Sequence, residues 1–233
     1  MTTTRLQIGL MLFPRLTQLD LTGPFEVFAR LPDTDVHLIW KTPEPVTSDV
    51  GLRILPTTTL EACPRLDVIC VPGGPGVNAL LDDDAVLDFL RRQAAGARYV
   101  TSVCTGALVL GAAGLLDGYR ATTHWASQEF LEAFGAEVEA VRVCVDRNRL
   151  TGGGVTAGID FGLALAAQLT DPATAQAIQL YMEYDPSPPF PAGSPRTAPA
   201  PVVEAFERKA GPMLVERRAA VERAAARRVA NTG

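Results

Sequence analysis

Near-continuous apolar, β-rich runs alternate with helical stretches along the first two-thirds of this chain, and that alternation constrains its fold most. LQIGLMLF (6–13), VHLIW (36–40), DVICVP (67–72) and RYVTSV (98–103) read as strands. Strands apolar on both sides need cover on both faces of their sheet. Helical patterns fall between them at about 24–31, 84–95, 105–113 and 126–134. The alternation predicts an α/β fold, a mostly parallel sheet sandwiched by helices. The segment 44–60, broken by Pro45, Gly51 and Pro56, reads as a hairpin excursion. Residues 141–151 read as two strands around the turn Asp146-Arg147-Asn148. They lead through Gly152-Gly153-Gly154 into a helix over 155–169 and a second over 171–184.

Residues 1–184 then make a single α/β domain. Residues 185–233 are a proline-rich segment and a terminal helix over 202–228, expected to pack on the domain or on a dimer partner. From residue 202 the charges are seven basic and four acidic, and such mixed signs mark a solvated or subunit-packing face. The whole chain carries a net charge of −5, which argues against nucleic acid or an anionic membrane as the main partner. No apolar run reaches the ~18 residues of a bilayer span. IGLMLF is followed at once by Pro14 and Arg15, which suits a core strand rather than a signal peptide. A cytoplasmic protein is expected. The four cysteines (Cys63, Cys70, Cys104 and Cys144) form no CxxC, and only His37 and His124 add imidazoles. That set lacks the closely spaced ligand pairs of a structural zinc site.

Cys104 differs from the other three in its neighbours. In VTSVCTGALVLGAAGLLDG (100–118) a β-rich strand ends at Cys104, and Thr105-Gly106 opens a helix. A nucleophile on a sharp strand-to-helix turn projects above the carboxyl edge of the sheet, where open α/β folds bind ligands. The helix start favours thiolate over thiol. Gly106, without a side chain, is expected to let a small substrate approach.

A thiol nucleophile needs a proton carrier nearby. Asp20, in QLDLTGP after the first strand, either caps a helix starting near Gly23 or sits in a polar pocket. His124, in ATTHW, follows another short strand and could reach the same edge, whereas His37 lies inside a strand. The glycine-rich turns PGGPG (72–76) and TGGG (151–154) can offer backbone N–H groups to developing negative charge. PGGPG lacks the Lys and Ser/Thr of a phosphate-binding loop.

Taken together, these segments resemble the ThiJ/PfpI superfamily of the flavodoxin-like, class I glutamine-amidotransferase-like fold. The resemblance is nearest to its isonitrile (isocyanide) hydratases. It rests on LFP (12–14), QLDLTGP (18–24), HLIWK (37–41), LDVICVPGGPG (66–76), VTSVCTGALVLGAAGLLDG (100–118), RATTHWA (120–126) and TGGGVTAGIDF (151–161), and extends into PPF and GSP of the tail. It implies hydration of a small-molecule isocyanide to an N-substituted formamide without metal or organic cofactor, by a homodimer. Carried over, Cys104 is the nucleophile, Asp20 the acid/base, and Thr105 a hydroxyl that positions Asp20 or water. Gly74 is implied to supply backbone donors near the thiol, and Val155 to lie close to the site. Many members of the wider superfamily carry Glu where Asp20 stands; Asp fits the hydratases. The role of His124 stays open.

Two other functions share these motifs. One is a sensor domain like that of AraC-type regulators, which share DLTGP and CTG but continue into about a hundred residues of paired helix-turn-helix. Here some 65 residues follow residue 169, seventeen of them the proline-dense 185–201. The other is a glyoxalase or redox sensor in which Cys104 reacts differently.

Overall fold

The computed structural model of the protein describes residues 5–232. In chain order the elements begin with β1 (Leu6–Met11), α1 (Gln18–Phe28), β2 (Thr34–Trp40), β3 (Val46–Thr47), β4 (Arg53–Ile54), β5 (Thr58–Thr59) and β6 (Val68–Val71). Next come α2 (Val77–Leu80), α3 (Asp84–Ala94), β7 (Tyr99–Val103), α4 (Gly106–Ala112) and β8 (Arg120–Ala121). Two 3-10 turns, Trp125–Phe130 and Glu132–Phe134, precede β9 (Glu137–Val138), β10 (Val143–Asp146) and β11 (Arg149–Gly152). The chain closes with α5 (Ala157–Leu169), α6 (Pro172–Tyr181) and α7 (Ala200–Thr232).

Seven strands form one sheet in the order β10-β11-β7-β6-β1-β2-β5. Every neighbouring pair is parallel except β10 with β11, which are antiparallel across the turn at Arg147-Asn148. The central strands are buried on both faces. Ile8, Leu10, Val68, Val71, Val100 and Val103 are all fully enclosed, as a doubly covered parallel sheet demands. The hairpin expected within 44–60 is β3 paired with β4, and the same excursion returns β5 to the edge of the main sheet.

Three helical boundaries differ most from the sequence reading. The first helix begins at Gln18 rather than near residue 24, and runs through Pro24. Proline removes one interior hydrogen bond, but tertiary packing outweighs that loss. Leu21, Val27 and Phe28 are buried, and α1 lies against α5, with Pro24 and Val27 in close approach to Gly158 and Gly162. The pattern at 126–134 is two 3-10 turns, ended by Gly135 at a left-handed φ of 76°. The terminal helix is longer than expected, Ala200–Thr232. Its arginines pair with the domain: Arg218 with Glu129, Arg223 with Asp82, and Arg227 with Asp84. Asp82 and Asp84 are therefore acidic counterparts of the basic helix. No helix among the described residues is long and apolar enough to cross a membrane.

Candidate active site

The adjacent, parallel strands β6 and β7 end at one edge of the sheet, and their exits build the site. Leaving β6, the chain makes the PGGPG turn; leaving β7, it reverses at Cys104. Cys104 takes φ 54°, a left-handed conformation rare for a residue with a Cβ. Three hydrogen bonds hold it there. Its N–H donates to the carbonyls of Gly152 (3.0 Å) and Gly153 (2.8 Å), and its own carbonyl accepts the Thr123 hydroxyl at 2.7 Å. A cysteine in a strained backbone conformation is thus fixed by the TGGG and ATTHW segments.

Asp20 arrives from the first turn of α1 and caps nothing: the residue before the helix is Thr17. Its side chain is fully buried. Oδ2 accepts the Gly73 N–H at 3.1 Å, while Oδ1 is buried without a hydrogen-bond partner among the described residues. Burial drives the Asp20 carboxyl up to about 7, against the opposing pull of the Cys104 thiol and the Gly73 N–H. The carboxyl and the thiol therefore face each other and interact.

Cys104 is itself nearly enclosed. Burial raises its pKa well above the ordinary thiol range, and the Asp20 charge adds to this, while the Thr105 N–H at the sulfur works the other way. The expected preference for thiolate is therefore overturned in the resting site. Desolvation and a facing carboxylate outweigh one short helix start. The sulfur holds its proton, and Asp20 is the carboxyl that faces it.

Around Gly73 the remaining pieces converge. A Cβ there would sit 2.5 Å from Thr105 N, 2.7 Å from Thr105 Oγ1 and 2.8 Å from Asp20 Oδ2. Thr105 thus lies beside the carboxylate. Its hydroxyl accepts the Gly74 N–H at 3.0 Å, so the Gly74 donor is engaged with Thr105 rather than directed at the sulfur. Gly106 also has a different duty from the one expected. A Cβ there would lie 2.0 Å from the Val71 carbonyl oxygen, so its bareness serves helix–strand packing instead of substrate access. Gly106→Ala is expected to destabilise the fold by about 3 kcal/mol or more through overpacking, read as a fall in the urea unfolding midpoint.

His124 caps the first 3-10 turn, its Nδ1 accepting the Ala126 N–H at 3.3 Å. Burial, helped by the charge of Arg217, presses its pKa down to about 4, leaving a neutral ring at neutral pH. It stacks with Trp125 and Phe206 and lines a cavity of about 540 Å³ together with Thr123, Gly153, Val155 and Arg196. Thr123 and Gly153 also hold the Cys104 peptide, so this cavity adjoins the thiol turn, and Val155 lies at its wall. His37 sits apart, bonded to Gln7. Cys63 and Cys70 are pushed up to about 11 and about 12 by burial. Among the described residues no cluster of three His, Cys, Asp or Glu is arranged to hold a metal.

One residue of the neighbourhood escapes the sequence reading altogether. Arg217, from α7, is 3% exposed and bonds Asn78 and Ser127. Its sequence signal is a basic helix, and nothing in the pattern distinguishes this buried arginine from the solvated arginines around it in α7.

Comparison with known proteins agrees with this architecture. The family model described as DJ-1/PfpI family matches residues 7–168. The chain is 60% identical over 222 residues to an isonitrile hydratase of Pseudomonas putida, covering 95% of this chain and 97% of that protein. A crystal structure of a THiJ/PfpI family protein from Pseudomonas syringae superposes with a TM-score of 0.91 at 46% identity, covering 93% of this chain and 90% of that one. The HTH-type transcriptional regulator GbdR of Pseudomonas aeruginosa is 38% identical over 117 residues, 49% of this chain but 32% of the regulator. With its parallel sheet, its cysteine turn and a family match over most of its length, the chain belongs to the DJ-1/PfpI family.

Proposed function

We propose that this protein is an isonitrile hydratase, converting R–NC and water to the formamide R–NH–CHO. The observation that carries the reading is the buried pair of Cys104 and Asp20, with one carboxylate oxygen left unpartnered. Identity of 60% to an isonitrile hydratase across nearly the whole of both chains points the same way.

The chemistry follows from the two groups. Asp20, ionised, accepts the thiol proton as sulfur bonds to the terminal carbon of the isocyanide. The resulting carboxylic acid returns that proton to the same carbon, giving the thioimidate R–N=CH–S–Cys104. Water then adds to this carbon, its proton passing through Asp20 to nitrogen. Collapse forms the C=O bond and breaks the C–S bond, the hydroxyl proton passing through Asp20 to sulfur, and releases the formamide and the thiol. A carboxyl with a pKa near 7 exchanges protons in both directions at neutral pH, which suits a group that is base and then acid. Thr105 assists by its N–H at the sulfur and by its hydroxyl beside Asp20. The adjoining cavity, with Val155 and the neutral His124 in its wall, is of a size to take the R group.

We also take the enzyme to be a cytoplasmic homodimer. Four free cysteines suit a reducing compartment. Exposed Leu180, Tyr181 and Phe190 offer apolar surface to a second subunit.

The test is to incubate the protein with an aryl isocyanide, with and without EDTA, and to follow the formyl proton of the product by NMR. Formamide in both samples, above the rate without protein, is the expected result. No formamide from a protein whose Cys104 is still alkylated would point instead to a sensor or another thiol reaction.

A further inference from the structure

Two loops flank the Cys104 turn: PGGPG, which runs into α2 and Asn78, and the Thr123–Ser127 segment, whose Thr123 holds the Cys104 carbonyl. Arg217 reaches in from α7 and joins them. Its Nε donates to Asn78 Oδ1 at 3.0 Å and its Nη1 to Ser127 Oγ at 2.9 Å. Ser127 in turn donates its N–H to the carbonyl of His124 at 2.8 Å. Both partners of the guanidinium are neutral, and among the described residues no carboxylate lies within ion-pair distance of it. The neighbouring Arg218, Arg223 and Arg227 are exposed and paired with acids. An unpaired buried cation is costly to keep, so a compensating negative charge should arise within its reach.

We infer that Arg217 is a positioning residue of the thiol site, clamping its two loops and favouring negative charge on the Cys104 sulfur. Of the charged side chains that act on this thiol, Asp20 opposes ionisation and Arg217 favours it, and the thiol reciprocally favours the charged guanidinium. The titratable and charged groups concerned are few. Asp20 from α1 and Arg217 from α7 face Cys104, His124 faces Arg217, and Asp49 and Cys70 face Asp20. Arg217 also lies beyond residue 168, outside the segment matched by the family model. The terminal helix thus brings to the thiol a charge that the common family segment does not contain. The inference rests on Cys104 being the reacting group, whatever the substrate.

The experiment is the pH profile of Cys104 alkylation by iodoacetamide, located by peptide mass spectrometry, in wild type, Arg217→Lys, Arg217→Gln and Asn78→Asp. Arg217→Gln should alkylate about tenfold more slowly at pH 7, as a thiol pKa raised by one unit dictates. Its profile should move to higher pH, while Arg217→Lys stays within about threefold of wild type on the same scale. Asn78→Asp keeps the size of its side chain and the hydrogen bond, and pairs the guanidinium with a carboxylate. It too should slow alkylation, and it carries the test if Arg217→Gln does not unfold cooperatively. Wild-type profiles in Arg217→Gln and Asn78→Asp would overturn the inference. So would an equal loss in Arg217→Lys and Arg217→Gln, which would reduce the residue to a clamp. Because alkylation needs no isocyanide, a failed hydratase reading and a failed role for Arg217 are told apart.

Discussion

Cys104→Ala is expected to abolish formamide formation, lowering turnover by at least about a thousandfold, while the protein still folds. Removing the nucleophile of a covalent mechanism leaves only what binding and the remaining groups provide. The structural cost is small by comparison. The thiol contributes one sulfur to a site held by backbone hydrogen bonds that alanine keeps: Cys104 N–H to Gly152 and Gly153, and its carbonyl to Thr123. Alanine meets the same left-handed φ as cysteine, so no new backbone strain enters. Mass spectrometry supplies a second readout. Wild type quenched during turnover should carry an adduct equal to the mass of the isocyanide, and Cys104→Ala should carry none. A variant that turned over at the wild-type rate, or that still formed the adduct, would remove Cys104 from the reaction.

The position of this cysteine at the sheet edge was legible in the sequence because its cause is local. A β-branched strand, one cysteine and a Thr-Gly helix start suffice to put the residue at the sheet edge, and β7 and α4 meet there. The parallel sheet was legible for a similar reason, since runs such as 67–72 are apolar on both faces and fit no half-exposed strand. What resisted reading depends on contacts between distant segments. The ionisation of Cys104 is decided by enclosure and by a carboxylate 84 positions away in sequence, and no local motif records either. Gly106 looked like a gap for substrate because the Val71 carbonyl it packs against belongs to another strand. The start of α1 was hidden by Pro24, whose local preference yields to the packing of α1 on α5. Arg217 stands 113 residues from the cysteine it influences, in a helix whose pattern is that of a solvated surface.

Asp20→Asn is expected to move activity and stability in opposite directions. Activity should fall by about 10²–10⁴-fold, the range for loss of a general acid/base. Asparagine can still accept the Gly73 N–H but can neither take the thiol proton nor return it to carbon. In wild type the base form is needed first, so turnover should decline below a midpoint near pH 7 as Asp20 becomes protonated, and this limb should vanish in the variant. Stability should move the other way. The folded-state pKa of about 7 lies above the ordinary carboxyl value of 3.8, so between those values the native state binds the proton that the unfolded chain releases. Wild-type stability therefore falls as pH rises through that window and stays low above it. The window spans about three units, which sets a ceiling of about 4 kcal/mol on the loss. A neutral amide escapes it. At pH 8 the variant should unfold at a higher temperature than wild type, and the gap should close as the pH is lowered to 4. Equal unfolding temperatures at both pH values would mean that Asp20 ionises as an ordinary exposed carboxylate, and the proton-transfer role assigned to it would go with its buried environment.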